Sequence, residues 1–81
     1  MWNIKKLKNG KFEYECFQSS YGYVFGQADT LNEAKVRLAL AEADLLETPY
    51  PPAVAEEMLS NPDKYAIDFP NPESKNGAYR N

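Results

Sequence analysis

The chain has no histidine and a single cysteine, Cys16. Without imidazole it lacks the commonest general base and the commonest metal ligand. One cysteine without histidine builds neither a Cys–His nucleophile pair nor a zinc site, and it closes no internal disulfide. No apolar run approaches the roughly 20 residues that a membrane span requires. The lysines of "MWNIKKLKNG" are not followed by the apolar stretch of a secretory signal. Catalysis, a metal, a cofactor and a membrane partner are therefore not expected, and a reducing cytoplasmic setting is. Two further chemical options fall to the same inspection. Glu13 and Glu15 share a strand face, but no apolar pocket separates their pKa values for acid–base work. "GYVFG" lacks the Gly-Lys-Ser/Thr ending of a phosphate loop.

What is present suits a small globular fold. The 81 residues are 43% hydrophobic and include eleven aromatic rings, enough to bury large areas from a short chain. The net charge of −3 is unevenly spread. Lys5, Lys6, Lys8 and Lys11 against Glu13 and Glu15 leave residues 1–27 at +2. Residues 28–48 stand at −3 and residues 49–81 at −2. The front is mildly basic and the remainder acidic, a balance that does not favour generic phosphate binding.

Periodicity places the elements. Residues 2–7 read as a strand, and "KNG" predicts a tight primed turn with Asn9 and Gly10 both at positive φ. The returning strand, 11–18, alternates: Phe12, Tyr14 and Cys16 on one face, Lys11, Glu13 and Glu15 on the other, then Phe17. "YVFGQA" supplies a third strand. In "DTLNEAK", Thr30 is expected to cap the amide of Glu33, and the Glu33 carboxylate to reach back to the amide of Thr30. Leu31, Ala34, Leu38, Ala41 and Leu45 make one apolar helical stripe, widened by Val36, Leu40 and Ala43. "ETPYPP" ends that helix. A shorter helix follows from Pro52, then one further turn opened by Asn61 and Pro62, with Tyr65, Ile67 and Phe69 as anchors. The expected fold is α+β: a three-stranded antiparallel sheet packed on one α-helix (β-β-β-α) with a short C-terminal helical extension. It forms a single domain over 1–69, with its core at 2–47, its extension at 49–69, and a loose tail at 70–81.

On these residues the sequence resembles a known family. "W-x-I-x-K-L-K-N-G-K-F", two further strands and "TLNEAKVRLALAE" are similar to the arm-type N-terminal DNA-binding domain of phage and transposon tyrosine recombinases, over residues 2–47. That resemblance implies a sheet laid in a duplex major groove, with Lys5, Lys8 and Lys11 meeting phosphates. The middle strand departs from the pattern, because Glu13 and Glu15 stand where basic or amide side chains are usual. "GQADTLNEAK" also resembles the strand-to-helix junction of HicB-type antitoxins, which implies occlusion of a small basic toxin. Both likenesses imply a phage or mobile-element setting.

Two functional expectations follow. In the first, the chain is a non-catalytic module that binds a protein with a basic surface and regulates or inhibits it. Its acidic helical side, Glu42, Asp44, Glu47, Glu56 and Glu57, makes the contact. In the second, it is an accessory duplex-DNA-binding protein that uses the sheet and the hairpin lysines. Those lysines read equally as guards against edge-to-edge sheet pairing. Tyr21, Tyr23 and Phe25 are expected to pack beneath the helix, and Trp2 to pin the first strand. The oligomeric state stays open.

Overall fold

A computed structural model describes residues 2–18 and 20–67. The fold is α+β, and its elements run β1 (Trp2–Lys6), β2 (Phe12–Gln18), β3 (Gly22–Ala28), α1 (Leu31–Leu45), α2 (Pro52–Ser60) and α3 (Pro62–Tyr65). The three strands form one antiparallel sheet in the order β1-β2-β3. Its register sets Trp2 opposite Cys16 and Ile4 opposite Tyr14, then Tyr14 opposite Gly26 and Cys16 opposite Val24.

The first hairpin closes differently from the expected primed turn. Leu7 and Lys11 bracket three loop residues, joined by the Leu7 N–H to Lys11 carbonyl bond at 2.8 Å and the Gly10 N–H to Leu7 carbonyl bond at 3.0 Å. Gly10 alone carries the positive φ, +89°. A three-residue loop needs one left-handed residue after its turn, where a two-residue primed turn needs two. Asn9 contributes through its side chain, which accepts from the Lys11 amide at 2.9 Å.

Alternation on β2 holds as expected. Cys16 is fully buried, and Phe12 and Tyr14 pack against the core formed by Trp2, Ile4, Cys16, Ala28, Ala34, Leu38 and Ala39. Trp2 is buried and does pin β1. Each large side chain of this kind withdrawn from water contributes about 1.5–3 kcal/mol.

α1 starts as its sequence demands, with the Thr30 hydroxyl accepting from the Glu33 amide at 3.1 Å. The reciprocal arm is shifted by one residue: the Glu33 carboxylate accepts from the Asp29 amide at 3.1 Å, while also receiving Arg37 at 2.9 Å. The helix ends before any proline intervenes. Glu47 adopts a left-handed φ of +62°. The Thr48 amide returns to the Ala43 carbonyl and the Glu47 amide to the Asp44 carbonyl. This is a Schellman closure, with glutamate where glycine is usual.

α1 is buried on two sides. Ala34 and Leu38 belong to the sheet-side core. Val36 is equally buried, and two residues along a helix it projects away from the Leu38 direction. Residues expected to widen one stripe therefore build two. α2 and α3 pack on α1, α2 contributing the buried Met58, and the Asn32 amide donates to Asp63 of α3 at 2.8 Å. The segment 52–65 thus folds back on the domain. Asn61 does not cap α3 with its side chain; its amide donates to the Glu57 carboxylate at 3.2 Å. Val54, Leu59 and Ile67 stay exposed. Phe69 and the tail 70–81 lie outside the described residues.

Candidate functional site

α1 covers one face of the sheet and leaves the other open. The open face carries Asn3 and Lys5 from β1, Glu13, Glu15 and Phe17 from β2, and Tyr23, Phe25 and Gln27 from β3, as the cross-strand pairs Asn3–Glu15, Lys5–Glu13, Glu15–Phe25 and Phe17–Tyr23 require. Here the structure corrects the expectation for the third strand. Phe25 is 64% exposed, Tyr23 53% and Tyr21 51%; none packs beneath the helix. Register is the reason. Phe25 lies opposite Glu15, and cross-strand partners share a face, so a wet Glu15 carries Phe25 outward with it. The inner positions of β3 fall instead to Val24, Gly26 and Ala28.

Gly26 shows why those inner residues are small. A Cβ built there would stand 2.5 Å from the Tyr14 hydroxyl and 2.7 Å from the ring carbon bearing it. The Tyr14 ring lies across the glycine, and no other residue leaves it that space. A glycine directly after Phe25 in "VFGQ", opposite a tyrosine, was the available signal for the true facing of β3.

The polar groups of the open face are preorganised around Glu15. Its carboxylate accepts from Asn3 Nδ2 at 3.0 Å and from Tyr23 Oη at 2.6 Å. Those two hydrogen bonds, with a smaller contribution from Lys5, hold its pKa below the ordinary glutamate value. The same bond raises the Tyr23 phenol, because ionising it would place two anions together. Tyr23 and Phe25 rings stand 5.6 Å apart and tilted by 35°. Lys5 Nζ lies 3.7 Å from Glu13. The face is a run of exposed rings around two carboxylates and a lysine already engaged with one of them.

The lysines of the DNA expectation are all exposed. They do not form a cationic strip, since Lys5 pairs with Glu13 and Lys11 with Asp29 at 3.4 Å; Lys8 sits at the hairpin tip. The five carboxylates of the helical side also diverge. Glu42 turns toward the sheet, accepting from Gln18 Nε2 at 2.9 Å, and borders an open groove of about 390 Å³ with Trp2, Ala43, Leu46, Tyr50 and Ile67. Asp44 is exposed on the opposite side of α1, and Glu47 sits at the helix exit. On α2, Glu56 is exposed, while Glu57 accepts from Asn61 and, at 3.3 Å, from the Tyr65 hydroxyl. The last turn of α1 carries no basic residue, so Glu42, Asp44 and Glu47 crowd the negative end of the helix dipole.

Cys16 is buried on the inner face. Burial, reinforced by Glu42, pushes its thiol pKa up, which leaves it inert as a nucleophile at neutral pH. Among the described residues no group of three or more His, Cys, Asp or Glu is placed to hold a metal ion. Among them, too, no helix is long and apolar enough to cross a membrane. No family model, no curated protein and no solved structure matches the chain.

Proposed function

We propose that this chain is a non-catalytic protein-binding module that regulates or inhibits a partner bearing a basic surface, contacting it through the open face of the sheet. One observation carries this reading: Phe17, Tyr23 and Phe25 stand exposed around the carboxyl groups of Glu13 and Glu15 on a face that nothing covers among the described residues. Clustered apolar rings with a polar rim mark contact surfaces. Cationic side chains of a partner gain twice there, from the carboxylates and from stacking on the rings. A phosphate backbone meets two carboxylates and a lysine that is already paired. Asp44, Glu47 and Glu56, exposed on the helical side, add long-range attraction for the same cationic partner and speed its approach. A module of this kind acts by occupying its partner's surface. The likenesses to recombinase arm domains and HicB-type antitoxins support a phage or mobile-element setting for it.

The test is an NMR titration with two probes, an arginine-rich peptide with interspersed aromatic residues and a duplex oligonucleotide. The peptide is expected to shift the resonances of Glu15, Tyr23 and Phe25, and the change Glu13→Lys with Glu15→Lys to remove the effect. Binding of the duplex instead, with a steep loss of affinity in salt that Lys5→Ala, Lys8→Ala and Lys11→Ala abolish, would establish the DNA reading in its place. Peptide shifts confined to Asp44, Glu47 and Glu56 would move the contact to the helical side.

A further inference from the structure

The two edges of the sheet differ in chemistry. β1 carries Lys5 and Lys6, the charged residues by which natural sheets discourage pairing with other chains. β3 is the opposite edge. Its seven residues, GYVFGQA, include no charge and no proline. No turn, loop or cap hydrogen bond among the described residues reaches the backbone of residues 23–28. A long, neutral, aromatic edge with unpaired amides and carbonyls is a template for another strand.

We propose that the strand it takes is its own copy. Two chains pair their β3 edges antiparallel about a two-fold axis at Phe25, joining two three-stranded sheets into one of six strands. Self-complementarity selects this occupant. Phe25 is the central residue of β3 and the most exposed of its large apolar side chains, at 64%. The two-fold sets it against the same ring of the second copy, as an isologous contact requires. The register then opposes Tyr23 to Gln27, and Val24 to Gly26, of the second copy. The inner face thus gains no crowding beside either α1, and no charge meets its like along the seam. At the end of each strand, Asp29 is already neutralised by Lys11 at 3.4 Å. The Tyr23–Phe25 ring contact at 5.6 Å continues across the seam as an aromatic ladder.

The seam is one strand long, which places it at the small end of specific interfaces. Association is accordingly weak and concentration-dependent. Its consequence is geometric: both open faces lie on one side of a continuous sheet, so a partner with repeated basic segments engages two copies at once.

Sedimentation velocity of the full chain from low micromolar to submillimolar concentration tests this. The 9.2 kDa species is expected to double in mass with concentration, and Phe25→Lys, which opposes two ammonium groups on the axis, to abolish the doubling with the far-UV spectrum unchanged. A register test stands apart from that variant's folding. Cross-strand Cα atoms about 4.5–5.5 Å apart lie within disulfide range, so Phe25→Cys is expected to give a disulfide-linked dimer under mild oxidation. Tyr23→Cys, roughly 13 Å from its copy in this register, is expected to give none, and the buried Cys16 stays out of the reaction. A mass that never rises, a dimer indifferent to Phe25→Lys, or cross-linking at 23 rather than 25 would each overturn the proposal.

Discussion

The two faces of this sheet use the same residue types to opposite ends. The covered face holds Trp2, Ile4, Phe12, Tyr14 and Cys16 against Ala34 and Leu38 of α1. The open face holds Phe17, Tyr23 and Phe25 in water. Ring count does not tell the faces apart; what lies opposite each ring does. Inside, rings are answered by small residues, as Gly26 answers Tyr14. Outside, they are interleaved with Glu13, paired with Lys5, and Glu15, which accepts from Asn3 and Tyr23. A covered face contributes to stability, and an uncovered one of similar composition stays in contact with water.

The largest separation between the faces is expected from truncation. Leu38→Ala empties a fully buried site and is expected to cost about 2–5 kcal/mol. Phe25→Ala, on the open side, is expected to stay within about 0.5 kcal/mol. Urea midpoints measured at low micromolar concentration check both, and equal costs would mean that the open face is covered in solution. Next in size, Gly26→Ala drives a methyl into the Tyr14 ring and is expected to cost about 1–3 kcal/mol. In a Tyr14→Leu background the same change is expected to cost less, a coupling that a double-mutant cycle reads directly.

The smallest effect belongs to the open face alone. Because Asn3 and Tyr23 lower the pKa of Glu15, the folded chain binds its proton less readily than the unfolded chain. The stability this supplies is present above the ordinary glutamate value, 4.5, and disappears as pH falls through the depressed folded value. Tyr23→Phe is expected to shallow that acid-side decline slightly, measured as the difference in urea midpoint between neutral and acidic buffer. An unchanged slope would mean that the Tyr23–Glu15 bond is not maintained in solution.

Much of the architecture could be read without coordinates because it is written in local terms. Alternation along Phe12–Gln18 assigns its own faces, and Thr30 followed by Glu33 announces a helix start. The facing of β3 could not be read that way. "YVFGQA" offers rings on one side and Val24, Gly26 and Ala28 on the other, and either set suits a core until the register with β2 is known. The second buried side of α1 was hidden similarly, since the helices that pack on α1, α2 and α3, lie fifteen or more residues downstream of Val36. Five carboxylates close in sequence suggested one acidic face, yet two residues along a helix reverse direction, and Glu42 and Asp44 diverge. The open-face site was missed for the same reason as β3: its members come from three strands and meet only in the folded sheet.

The exit of α1 holds a deliberate inefficiency. Glu47 sits in a backbone region where side chains other than glycine are penalised by roughly 1–2 kcal/mol, and its charge falls at the pole of the helix that repels it. Glycine there would make a firmer protein with a blunter electrostatic profile. The domain therefore runs below the ceiling of its own topology, and the last turn of α1 supplies no basic residue to offset that charge.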